Sequence, residues 1–269
     1  MPGSIVFAGI APHPPLLIPE VGGRRIEQVA DSQRALREFS HRLIDAQPDV
    51  VVVISPHSPL DPRVFTARSA NQLAGDFREF HAPEVTLSFR NDLAMVGAII
   101  EAAAIEDVDL RLHDRDYPLD HGALVPLYYL HEAGWRGPIV VIGFTHQSNE
   151  KHLAFGRAIA RAAGSTGRRL AVLASGDLSH RLVVGGPYEY EPTAHLFDEQ
   201  IVDAIARGDP HGVIDVDPDL RNRAGECGYR SIVIALGATA DLRNNEVLSY
   251  EGPFGVGYLV AVLFDQRTS

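Results

Sequence analysis

Four histidines carry the chemistry this chain can offer. Each stands just past an apolar run or in the turn that opens the next helix. They are His13 in Ala11-Pro12-His13-Pro14-Pro15, His57 in Ser55-Pro56-His57-Ser58-Pro59, His121 in Asp120-His121-Gly122, and His180 in Gly176-Asp177-Leu178-Ser179-His180. Imidazole is the commonest metal ligand, and it also exchanges protons near neutral pH. In open α/β sheets, ligands gather outside the carboxyl ends of the strands. Four imidazoles in such positions point to a metal centre with its own proton-transfer groups.

A mononuclear iron or zinc site needs two or three converging neutral nitrogen or anionic oxygen donors, with coordination positions left open. His13 and His57 are the leading pair. Prolines flank both of them and limit the backbone, and the strands they follow are sequential, hence often neighbours. Glu226, between Gly225 and Cys227-Gly228, is the best anionic candidate. It opens a strongly apolar helix, where the dipole also favours a carboxylate for purely structural reasons. Cys227 is the adjacent rival, because a thiolate at a helix N-terminus is activated and binds metal. Spacing leaves both open. His121 and His180 are candidate acid–base groups, with Asp177 placed either to orient His180 or to cap a turn. The remaining eight histidines lack this setting, although His146 follows the end of a strand-like run.

Positioning these groups requires strands alternating with helices. Ile5–Ile10, Asp49–Ile54, Pro138–Gly143 and Leu170–Ala174 read as strands, and the β-branched run at 49–54 suits one buried on both faces. Shorter strand signals lie at 64–67 and 85–89. Helical periodicity spans Arg24–Ala46, about 91–104, 123–132 with Asp120 as N-cap, 150–163, 193–206 and a segment from Gly225 through Ala238. Two closing strands, 247–250 and 256–264, flank Gly252-Pro253-Phe254-Gly255. The expected fold is α/β. It is a single domain over residues 1–269, with a central mixed, mostly parallel sheet flanked by helices and a site at the strand C-terminal ends.

Composition narrows the function further. Lys and Arg total 24 against 35 Asp and Glu, for a formal charge of −11, which argues against a nucleic-acid partner. Lys151 is the only lysine and lies in a polar stretch, so a Schiff-base mechanism is not expected. One cysteine excludes an internal disulfide framework and a Cys-rich zinc site. No signal peptide or run of roughly eighteen apolar residues is present, so the expectation is a cytoplasmic protein without a membrane span. Phosphate-loop, dinucleotide-loop, nucleophile-elbow and His-Glu-x-x-His patterns are absent.

Taken in order, these motifs resemble the class III extradiol ring-cleavage dioxygenase superfamily, the fold of the protocatechuate 4,5-dioxygenase β subunit. The resemblance runs from Ala11-Pro12-His13-Pro14-Pro15 to Gly252-Pro253-Phe254-Gly255-Val256-Gly257-Tyr258. The closing Ser249-Tyr250-Glu251-Gly252-Pro253-Phe254-Gly255 resembles the Memo-like branch more narrowly. The resemblance implies Fe(II) held by His13, His57 and Glu226, with His180 as the acid–base group and His121 lining the substrate and oxygen side. It implies a small aromatic diol and O2 as substrates, and a homodimer or a small partner subunit. It also implies an alternative, a Memo-like metal-binding protein without ring cleavage, in which Cys227 takes the place of the carboxylate. A zinc hydrolase using the same ligands is a third possibility.

Overall fold

The computed structural model describes residues 3–113, 117–239 and 244–268. Its strands are β1 (Ser4–Ala11), β2 (Val50–Ser55), β3 (Phe65–Arg68), β4 (Gln72–Phe77), β5 (Ala82–Arg90), β6 (Leu110–His113), β7 (Ile139–Gly143), β8 (Arg169–Ser175), β9 (Glu246–Glu251) and β10 (Tyr258–Asp265). Its helices are α1 (Pro19–Gly22), α2 (Ala30–Asp45), α3 (Leu93–Ile105), α4 (His121–Glu132), α5 (Asn149–Thr166), α6 (Ala194–Ala206), α7 (Pro210–Ile214), α8 (Pro218–Ala224) and α9 (Tyr229–Thr239).

Eight strands form one mixed sheet in the order β6-β3-β7-β2-β8-β1-β10-β9. The centre, β7-β2-β8-β1, is parallel throughout, and antiparallel pairs flank it on both sides. β2 explains why this centre is buried on both faces. Val50, Val52 and Ile54 pack with α3, α5, α6 and α9, whereas Val51 and Val53 pack with α2, α4 and the separate β4–β5 hairpin. This is the two-residue strand period feeding two hydrophobic layers.

The α/β architecture follows the sequence expectation, and three details differ. The segment expected as one helix over 24–46 begins as a 3-10 turn, Gly23–Val29, and becomes α-helical at Ala30. Strands β4 and β6 and the short α7 and α8 carry too few periodic residues to read from sequence. β1 and β2 are not neighbours, because β8 lies between them.

Register does what adjacency does not. Ala11 is level with Ser175, Ala174 with Ile54, and Ser55 with Gly143. The chain therefore leaves β1, β2 and β8 at one edge of the sheet. His13, His57 and Asp177 each stand two residues beyond that edge.

Candidate metal centre

His13 is the hub. Its Nε2 lies 3.1 Å from His57 Nε2 and 3.6 Å from Cys227 Sγ. The His121 ring stacks on His57 at 4.3 Å and meets His13 edge-on at 5.4 Å. Two sets of donor atoms are close enough to share an ion: His13, His57 and His121, and His13, Asp177 and Cys227.

Hydrogen-bond direction sets the tautomer of His13. Ser175 Oγ donates to the carbonyl of Gly122, so its 3.0 Å contact with His13 Nδ1 must be one in which it accepts. Nδ1 then carries the proton, and the Nε2 lone pair is aimed at His57 and Cys227. The His13 backbone N–H donates to Asp177 Oδ1 at 2.9 Å, so Asp177 serves the loop of His13 and not His180.

Asp120 caps α4, accepting from Ala123 N at 3.1 Å, as expected from sequence. It also accepts from Ser55 Oγ at 2.5 Å and Ser58 Oγ at 3.1 Å. These bonds tie the start of α4, and with it His121, to the turn that carries His57.

Glu226 belongs to neither donor set. Its Oε2 accepts from Tyr229 N at 2.6 Å at the start of α9, and its Oε1 lies 4.0 Å from Arg221 Nε. The thiol of the next residue turns toward the histidines instead. Backbone packing holds it there: a Cβ on Gly176 would sit 2.0 Å from Gly228 Cα, a space only two glycines allow. The carbonyl of Asp177 accepts from Cys227 N and Gly228 N, and Asp177 N donates to Cys227 Sγ at 3.3 Å.

Burial sets the protonation of the site. It pushes the His13 imidazole well below its ordinary value, with His57 and His121 adding to the effect. Burial also lowers His57, and brings His121 and His180 down to about 4. It raises the Asp177 carboxyl to about 7 and pushes the Cys227 thiol up. The 3.8 Å approach of His13 Nε2 to Asp177 Oδ2 is therefore a contact of weakly charged groups near neutral pH, not a strong ion pair.

His180 lies near this cluster with its ring stacked on Tyr188 at 4.9 Å, and its buried Nε2 has no hydrogen-bond partner. Beside His57 and His121 opens a cavity of about 680 Å³, also lined by Phe80, Pro118, Leu119 and Leu124. His146 is exposed, its backbone N–H bonded to Pro62 O, and takes no part in either donor set.

Neutral imidazoles, a thiol and a buried imidazole nitrogen lacking a partner form a donor set that fits a borderline transition metal better than calcium or magnesium. Sequence reasoning did not pair His121 with His57 in one donor set. The Asp120 cap immediately before it was the available signal.

Residues 8–261 match the family described as "Catalytic LigB subunit of aromatic ring-opening dioxygenase". This chain belongs to that family. It is 31% identical to Protein CA_C1420 of Clostridium acetobutylicum over 272 aligned positions, covering 97% of this chain and 58% of that protein. The chain thus spans a little over half the length of that relative. It is 27% identical to the MEMO1 family protein MTH_45 of Methanothermobacter thermautotrophicus, covering 77% of this chain and 67% of the relative, which supports a Memo-like branch. The crystal structure of uncharacterized protein JW3007 from Escherichia coli K12 shares the fold. Its TM-score is 0.60 at 19% identity, covering 84% of this chain and 91% of that one. Among the described residues, no helix is long and apolar enough to cross a membrane.

Proposed function

We propose that this chain is a non-haem Fe(II) enzyme of the extradiol type, opening the ring of a small aromatic diol with O2. The observation that carries the reading is the convergence of His13 and His57 Nε2, 3.1 Å apart, beside a cavity of about 680 Å³. That volume suits a single substituted aromatic ring.

His13 and His57 would hold the ion, with the third donor drawn from Cys227, His121 or Glu226. When bound, the iron would supply Lewis acidity and one-electron chemistry. Ser175 keeps the His13 proton on Nδ1, leaving Nε2 free to bind. The buried His180 Nε2 is open to accept a proton from a diol hydroxyl, and His121 and Phe80 wall the side where the ring would lie. Leu119, Leu124 and Pro118 supply an apolar part of the cavity wall.

The second reading, a Memo-like metal-binding protein without ring cleavage, has its own support. Cys227 Sγ lies 3.6 Å from His13 Nε2, while Glu226 caps α9. Anaerobic reconstitution with Fe(II), followed by a panel of catechols and O2, tests the first reading. Growth of the yellow ring-opened product, lost in His13→Ala and in His180→Ala with metal retained, supports it. Stoichiometric iron with no product across the panel favours the second. Loss of metal in Cys227→Ala with retention in Glu226→Ala assigns the thiol as ligand, and the reverse pattern assigns the carboxylate.

A further inference from the structure

We infer that the cavity beside His57 and His121 selects a diol bearing a cationic amine over one bearing a carboxylate; the inference rests on the aromatic-diol reading above. Among the described residues lining it, two arginines meet three carboxylates: Arg68 and Arg78 against Asp76, Glu79 and Asp120.

Both arginines already have partners in the fold. The Arg78 guanidinium is clasped by Asp76 through three hydrogen bonds of 2.6–2.9 Å. Arg68 is buried and donates to the carbonyls of Tyr117 and Pro118, and its Nη2 lies 3.8 Å from Asp120 Oδ2. It holds the cavity wall together.

The acids are not equally engaged. Asp76 is occupied by Arg78, and Asp120 by Ser55, Ser58 and the cap of α4. Glu79 is exposed and has no hydrogen bond or ion pair among the described residues, which leaves its carboxylate available to a ligand. It sits on the turn Arg78–Phe80, and that turn reaches the histidines, because the Phe80 ring meets His121 edge-on at 5.4 Å. A ring lying in the cavity against Phe80 and His121 has Glu79, the chain neighbour of Phe80, on the same wall. An ammonium gains an ion pair with Glu79 there, with the Phe80 ring as a second attraction, and a carboxylate is repelled by the same group.

The probes are three catechols of matched size, carrying an aminoethyl, an ethyl or a carboxyethyl group. Their binding to the Fe(II)-loaded protein is measured calorimetrically without O2. The amine should bind about tenfold more tightly than the acid, with the neutral analogue between them, since attraction and repulsion at a partly exposed site add to roughly that ratio. Glu79→Gln should shrink the gap severalfold, and Glu79→Arg should reverse its sign. If the acid binds as tightly as the amine, or Glu79→Arg leaves the order unchanged, the charge assignment falls while the diol reading stands. If none of the three binds, the diol reading fails and the proposal fails with it.

Discussion

Ser175→Ala tests the central geometry directly, because it removes the group that sets the His13 tautomer while leaving every proposed ligand in the chain. In the native site Ser175 Oγ accepts from His13 Nδ1 and donates to Gly122 O, and all three partners are buried. Alanine leaves one donor and one acceptor without partners, a cost of about 1–3 kcal/mol for a buried group. Without metal the ring has an escape. It can move its proton to Nε2 and donate to His57 across the 3.1 Å gap. Part of the cost then appears only when an ion needs the Nε2 lone pair. Metal affinity should fall about ten- to a hundredfold, while apo stability falls by only about 1 kcal/mol. Chelator-competition titration gives the affinity, urea unfolding of the apo protein gives the stability, and 15N shifts of His13 report the tautomer. Unchanged affinity with lowered apo stability would refute the tautomer argument and reduce Ser175 to a packing residue.

Four further outcomes follow from other parts of the molecule. Gly176→Ala places a Cβ where Gly228 Cα already lies, so it should cost about 1–3 kcal/mol or more and weaken metal binding as Cys227 shifts, read by thermal unfolding and metal titration. Asp92 caps α3 through Met95 N at 3.0 Å and holds Arg168 Nη1 at 2.7 Å; Asp92→Ala should lower stability by about 2 kcal/mol in urea unfolding. Asp198 is buried against Ser179 N and Tyr250 Oη, and burial raises its carboxyl to about 7 from the ordinary 3.8. Between those values the folded state holds the proton more often than the unfolded chain. Stability from this group therefore falls as pH rises from about 4 to about 7, by at most about 4 kcal/mol. Asp198→Asn should flatten that slope in urea midpoints taken across the window, and an unchanged slope would exclude Asp198 as its source. Chelation of a metal present at about a hundred times its Kd should lower unfolding stability by about 2.7 kcal/mol, and His13→Ala should abolish that difference.

What was legible in the sequence depended on whether a signal was local. The β-branched run of β2, the Asp120 cap and the histidines just past strand ends are local, and each stands where its own neighbours in the chain put it. The 3-10 start of the segment before α2 was not legible, because an apolar stripe does not distinguish the two helix types over so short a span. The sheet order was harder still. Sequential strands β1 and β2 were expected side by side, and β8 separates them, yet His13 and His57 still meet because all three strands end level.

The choice between Glu226 and Cys227 lies beyond local reading altogether. The two are adjacent, both have chemistry suited to a metal, and both open the same helix. Their directions are set by a contact about fifty residues away in sequence, where Gly228 packs on Gly176 and the carbonyl of Asp177 accepts both Cys227 N and Gly228 N. That contact turns the thiol toward His13 and leaves the carboxylate to accept from Tyr229 N. The dipole that favours an acid at a helix start is satisfied by the same step. In this arrangement the capping of α9 and the donor set are one structural decision. Glu226→Ala should therefore loosen the first turn of α9 and reduce stability by about 1 kcal/mol, as loss of a cap does. A fall in metal affinity much larger than its effect on stability would show instead that the carboxylate itself reaches the ion.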